Sequence, residues 1–116
     1  LWDGDKPFFL DFDDMVLAPQ VQDVWMIIRG RDEDARRQRG VLLDAYDEML
    51  PFPRDTLDLI EPLRAMRMIH YAGWVARRWD DPSFPKAFPE FLTERHWREE
   101  YQAIEEIADL IAEGRA

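Results

Sequence analysis

The 116-residue chain contains no cysteine. That absence excludes disulfides, thiolate zinc sites and cysteine nucleophiles together. Its two histidines, His70 and His96, lie 26 residues apart, far outside any histidine zinc-motif spacing. Glycine is sparse, at five residues, and no GxGxxG, Walker-type phosphate loop, GxSxG or HExxH pattern occurs. Positive charge is also short, with 15 Lys and Arg against 25 Asp and Glu, a formal net charge of −10. A general affinity for nucleic acid or anionic membranes is therefore not expected, whereas basic partners and metal ions are easily accommodated. Near the middle, the longest uncharged run is Met68 to Ala76, well short of the roughly 20 apolar residues that span a bilayer.

What is present is globular. Hydrophobic residues make up 47% of the chain and aromatic residues 13%, enough to build a core at the length of one ordinary domain. Residues 1–14 read as a β-hairpin. Asp3-Gly4 is a turn signal, and the Phe8-Phe9-Leu10 run after it has the composition of a buried strand. The chain opens on Leu1-Trp2, two large apolar residues with no Met before them, which predicts a piece of a longer protein.

From residue 15 onward the periodicity is helical. Pro19 suits the first turn of a helix through Gln20 to about Ile28. Its apolar face is Val21, Val24, Trp25 and Ile28, spaced i, i+3, i+4, i+7. Gly30 ends it, and Asp32, Glu33 and Asp34 start a second helix with acids at its positive end. Asp32–Arg36 and Glu33–Arg37 are expected i,i+4 pairs there, with Leu42, Leu43, Tyr46, Met49 and Leu50 facing inward before Pro51-Phe52-Pro53 stops the helix.

Residues 55–79 predict a central helix with two apolar sides, capped by Asp55 or Thr56. Leu59, Leu63, Met66, His70 and Trp74 form one side, with His70 as a core histidine. Pro62 either kinks this helix or restarts it. The proline-rich stretch 81–90 reads as extended and pinned by Phe84 and Phe88. Thr93 caps a last helix to about Ala112 whose inner face is Trp97, Tyr101, Ile104, Ala108 and Ile111, with Gly114 after its end.

The sharpest chemical signal is the acidic run Asp11, Asp13 and Asp14 at the end of the apolar strand. Carboxylates this close repel one another unless a cation or buried donors offset them. Hard oxygen ligands suit Mg²⁺, which commonly takes one or two carboxylates together with phosphate oxygens. A solvated polar turn is the plainer alternative. Asp23, between Val21 and Val24, either braces a neighbouring loop through hydrogen bonds or faces water. Arg64 and Arg67 either pair structurally, the favoured reading, or contact phosphate.

The run Phe8-Phe9-Leu10-Asp11-Phe12-Asp13-Asp14, followed by Ala18-Pro19-Gln20-Val21-Gln22-Asp23-Val24-Trp25-Met26, resembles the metal-binding segment of the aminoglycoside phosphotransferase and choline kinase superfamily. Ile60-Glu61-Pro62-Leu63-Arg64-Ala65-Met66-Arg67 and Arg77-Arg78-Trp79-Asp80-Asp81-Pro82-Ser83-Phe84-Pro85-Lys86 resemble bacterial stress-response serine/threonine protein kinases of that fold. The resemblance covers nearly the whole chain and weakens after about Glu90. It implies that Asp11 matches the Asp of the protein-kinase Asp-Phe-Gly position and binds Mg²⁺ bridging the ATP phosphates. It places Leu10 against the nucleotide, Asp13 beside the metal through water, and Asp23 as a structural brace of the catalytic loop. Here the motif reads Asp-Phe-Asp.

In that family the catalytic Asp base and the Asn metal ligand immediately precede the point matching Leu1, and the N-terminal lobe lies further upstream. The resemblance thus implies the C-terminal part of a kinase catalytic lobe, with residues 1–14 as metal-site hairpin, residues 15–116 as helical subdomain, and no catalytic residue of its own. The expected fold is mainly α, an N-terminal β-hairpin with about four helices. The expected function is that of an ATP- and Mg²⁺-dependent serine/threonine protein kinase, cytoplasmic and monomeric, acting on a protein substrate, with this piece inactive alone. A small-molecule kinase of the same fold and a non-catalytic helical interaction domain are the alternatives.

Overall fold

The structure is a computed structural model describing residues 1–13 and 15–114. It is mainly helical, with a two-stranded antiparallel hairpin at the N-terminus. Strands β1 (Trp2–Asp3) and β2 (Lys6–Pro7) pair Trp2 with Pro7 and Asp3 with Lys6. The turn between them needs Gly4, whose φ of 57° lies where a Cβ is unfavourable. The Phe8 N–H donates to the Leu1 carbonyl at 2.7 Å, and the Leu1 amino group donates to the Phe8 carbonyl at 3.1 Å. The expected strand over Phe8–Leu10 is not formed. These residues leave the hairpin as irregular chain and are exposed. The last paired residues are Leu1 and Phe8, and no strand among the described residues faces Phe9 and Leu10.

The helical body follows. Helix α1 (Val21–Ile27) buries Val21, Val24 and Trp25. The turn opens at Pro19, whose carbonyl accepts from the Gln22 N–H at 3.0 Å. Helix α2 (Glu33–Asp47) starts at Asp32, whose carboxylate accepts from the Ala35 N–H at 2.8 Å. Asp32 is therefore spent as a cap and not as the expected partner of Arg36, and Arg37 pairs with Asp34 instead of Glu33. Gly30 permits the sharp entry into α2, because a Cβ there would stand 2.7 Å from the Ala35 Cβ.

Helix α2 stops earlier than the apolar pattern suggests, leaving Met49 and Leu50 exposed. Asp47 organises the exit. It accepts the Phe52 N–H at 2.7 Å and holds Arg54, which seats Phe52 in the core edge-on to Tyr46 at 5.3 Å. A 3-10 turn (Arg54–Leu59) then feeds helix α3 (Ile60–Ala76). Neither Asp55 nor Thr56 caps it by a side chain. Pro62 falls in the first turn of α3, where its missing N–H costs nothing.

The segment read as extended contains a short helix, α4 (Ser83–Ala87). Asp81 starts it by accepting from the Ser83 N–H at 2.9 Å and the Ser83 hydroxyl at 2.7 Å, a local bond that favours a turn over extended chain. Helix α5 (Glu94–Ala112) begins at Thr93, which accepts the His96 N–H at 3.2 Å, and ends before Gly114 at φ 64°.

Two clusters hold the helices. The first joins Val21, Val24, Trp25, Leu43, Phe52 and Ile60 from α1, α2, the loop after α2 and the start of α3. The second is aromatic. Tyr71 stacks on Trp74 at 5.7 Å, Trp74 meets Phe84 at 5.1 Å, and Phe91 meets Trp79 at 5.1 Å. Val75 of α3 is buried beside Tyr71, Phe88 and Phe91, and Ile107 of α5 is buried as well. Helix α3 belongs to both clusters and packs on α1 and on α5.

The inner face of α5 is rotated from the expected one. Ile107 is buried, while Trp97, Tyr101, Ala108 and Ile111 are exposed. On α3, His70 and Met66 are exposed rather than core. The radius of gyration, 17.0 Å, exceeds the roughly 13 Å expected of a compact chain of this length. Among the described residues no helix is long and apolar enough to cross a membrane.

Candidate functional site

The acidic segment begins where the hairpin ends. Phe9, Leu10, Asp11, Phe12 and Asp13 follow β2 as exposed irregular chain, and the Met15 N–H donates to the Phe12 carbonyl at 3.1 Å. Asp14, the third acid of the run, lies outside the described residues.

Asp11 is the only described non-glycine residue with positive φ, at 66°. L-residues rarely enter this left-handed region, although Asp and Asn do so more readily than others because their short polar side chains bond locally. Such a conformation is expensive unless surroundings or function hold it, and it concentrates at working sites. The effect is to turn the chain at Asp11. Its carboxylate has no ion pair or hydrogen bond among the described residues.

The structure brings Asp11 and Asp13 onto one exposed turn, with Leu10 also open at its edge. Among the described residues no group of three or more His, Cys, Asp or Glu side chains is arranged to hold a metal ion. Two free carboxylates on adjacent chain fit a hard cation that takes most of its ligands from phosphate and water, and do not fit a dedicated protein cage. Asp23 is not gathered into this group. Helix α1 buries Val21, Val24 and Trp25 and leaves Asp23 exposed, without a side-chain partner among the described residues. A bracing role for Asp23 requires a partner beyond them.

The best-built polar arrangement is one that sequence reasoning did not assemble. Glu61, in the first turn of α3, is buried at 5% exposure. Arg31, from the link between α1 and α2, donates to it through Nε at 3.0 Å and Nη2 at 2.7 Å, a bidentate fork. Arg31 also reaches Glu106 of α5 at 3.3 Å. Arg64 lies 3.2 Å from Glu61, donates through Nη1 to the Arg29 carbonyl at 2.9 Å, and sits over the Trp25 ring at 5.4 Å. The hydrogen bonds from Arg31 hold the Glu61 carboxyl below the usual glutamate range, against the opposing pull of burial. Burial in turn lowers Arg64 from the usual guanidinium value. Arg64 is thus structural, as the favoured reading had it. The signal for Glu61 was present in the sequence as a lone acid amid apolar neighbours at a helix start. Its partner Arg31 lies 30 residues away, which no local pattern reveals.

No protein-family model matches the chain. Individual proteins do. Over 113 residues, 97% of its length, the chain is 42% identical to "Stress response kinase A" of Escherichia coli (strain K12). Over the same length it is 40% identical to "Stress response kinase A" of Salmonella paratyphi A and to "Serine/threonine protein kinase RdoA" of Salmonella typhimurium. The chain spans about a third of each relative, 34%.

Proposed function

We propose that this chain supplies the Mg²⁺-binding carboxylate of an ATP-dependent serine/threonine protein kinase acting in bacterial stress response. The observation that carries the reading is the conjunction at Asp11. A free acid in a strained left-handed turn stands in a chain 40–42% identical to kinases of that name along 97% of its length.

In this reading Asp11 holds Mg²⁺ against the ATP phosphates, Asp13 supports the ion through water, and Leu10 lies against the nucleotide. When bound, the ion neutralises charge on the transferred phosphoryl group. The chain's own residues orient it. The strained backbone at Asp11 aims the carboxylate, and the hairpin bonds between Leu1 and Phe8 fix where the turn begins. Asp23 braces the segment that carries the catalytic base, which belongs to the part of the relatives this chain does not match. Phosphoryl transfer rests on positioning and charge stabilisation, so residues 1–116 alone are inactive. The protein is cytoplasmic and monomeric, and its substrate is a Ser- or Thr-bearing protein.

The test is Asp11→Asn in the full-length protein, assayed with γ-labelled ATP and Mg²⁺. Label on protein that falls at least about 100-fold in the variant supports the reading. Label confined to a small amino alcohol moves the function to a small-molecule kinase, and full activity in Asp11→Asn removes Asp11 from the metal site.

A further inference from the structure

The helical body carries a second polar concavity, formed by elements that hold none of Leu10, Asp11 or Asp13. Its volume is about 370 Å³. Arg31, Arg36 and Arg39 line it with Glu61, over an apolar floor that includes Ile60 and Leu110. Three arginines around one hollow are unexpected in a chain of net charge −10.

The local charge does not cancel. Glu61 is already gripped by the Arg31 fork and neighboured by Arg64, and Glu106 is engaged by Arg31. Among the lining residues and their ion-pair partners, four guanidinium groups stand with two carboxylates, an excess of two positive charges within that set. On the first turn of α2, Asp32 caps the helix and Asp34 binds Arg37 and Gln38, while Glu33 is exposed and makes no ion pair with Arg36. Arg36 has no side-chain partner among the described residues. Arg39 donates Nη2 to the Gly30 carbonyl at 3.0 Å, which fixes its head, while its buried Nε has no hydrogen-bond partner.

We propose that this hollow between α2, α3 and α5 binds a phosphomonoester, with Arg36 and Arg39 as its principal ligands and Arg31 as a fixed wall. A phosphomonoester carries about −1.5 to −2 charge at neutral pH, which matches the two uncompensated charges better than a single carboxylate does. Planar guanidinium forks fit phosphate oxygens bidentately. Arg31 and Arg39 are already held by protein partners, so little ordering remains on binding. The inference stands whether or not Asp11 holds a metal.

Two sources share this chemistry, free phosphate compounds and a phosphorylated protein side chain. The experiment is calorimetric titration of the full-length protein with inorganic phosphate and with a short phosphoserine peptide. It is run in EDTA and without nucleotide, on wild type, Arg36→Ala/Arg39→Ala and Arg36→Lys/Arg39→Lys. The expected result is saturable binding, weakened at least 10-fold by the double alanine variant and less by the double lysine variant. Tighter binding of the peptide identifies a phosphorylated side chain as the source, and tighter binding of inorganic phosphate identifies a free compound. As a readout independent of variant folding, phosphate should protect Arg36 and Arg39 of wild type from phenylglyoxal, mapped by mass spectrometry. Equal affinity in the folded double alanine variant, acetate competing as well as phosphate, or no protection at Arg36 and Arg39 would overturn the proposal.

Discussion

The two parts of the molecule use apolar residues in opposite ways. In the helical body, Val21, Trp25, Phe52, Ile60 and Ile107 are buried, and each has a neighbour from another element or loop. In residues 1–17, Leu1, Trp2, Phe9, Phe12, Met15 and Val16 are all more than half exposed. Composition alone does not separate these regions, since both are rich in large apolar side chains. What separates them is tertiary closure. The body has helices α1, α2 and α3 converging on one cluster, whereas the hairpin has two-residue strands and, among the described residues, no further strand to join. A lone hairpin is marginal in water. The body is the part that holds itself together. The N-terminal segment is the part that carries the candidate chemistry.

The largest expected effect tests that division directly. In the full-length protein, Asp11→Asn should cost at least about 100-fold in phosphoryl transfer with an unchanged melting temperature. A drop in melting temperature as large as that of a core variant would mean that the segment carries fold as well as chemistry.

Next comes the Glu61 knot. Glu61→Ala leaves Arg31 and the largely buried Arg64 without their carboxylate, a loss of roughly 3 kcal/mol, read by denaturant unfolding. The same carboxylate makes stability depend on pH. Its folded value lies below the ordinary one, first through the Arg31 hydrogen bonds. Its stabilisation is therefore complete above about pH 4.3 and disappears as pH falls through the folded value. Wild type should lose melting temperature on acidification in that window more steeply than Glu61→Gln.

Two smaller effects probe the seams of the body. Gly30→Ala forces a Cβ against Ala35 and should cost about 1–2 kcal/mol by overpacking. Thr93→Ala removes the cap on α5, about 1 kcal/mol. The smallest effect is expected from Phe9→Ser in the isolated chain, within about 0.5 kcal/mol, because Phe9 is exposed there. Were the same change to destabilise the full-length protein by several times that amount, the contrast between the regions would be one of missing cover rather than of kind.

Local grammar carried much of the fold. The Asp3-Gly4 turn, the start of α1 after Pro19, the Asp32 and Thr93 starts and the Gly114 end follow rules that operate within a few residues, and all appear in the structure. Faces were less legible. Trp97, Tyr101 and Ile111 form an apolar stripe on α5, yet Ile107 is the residue buried, because packing against α3 decides which stripe is used. His70 misled for the same reason: apolar spacing identifies a stripe, not its cover. At the candidate site, Asp11 and Asp13 were visible as types and spacing. The left-handed backbone of Asp11 was not, since nothing in the letter D announces it. Arg31 with Glu61 is a meeting of distant chain segments, outside the reach of any local motif.

The left-handed turn at residue 11 has a consequence in the genetic code. Besides Asp, the residues that accept this backbone at least cost are Gly and Asn. Both are reached from an Asp codon by changing one base, and both discard the negative charge. Glu, which keeps the charge, is also one base away but is a poor occupant of that conformation. The mutations that position 11 tolerates best as a piece of chain are therefore those that silence it as an acid. Under the metal role proposed for Asp11, lesions there should accumulate as well-folded, normally abundant proteins that have lost it, invisible to a screen for instability and found only by a screen for function.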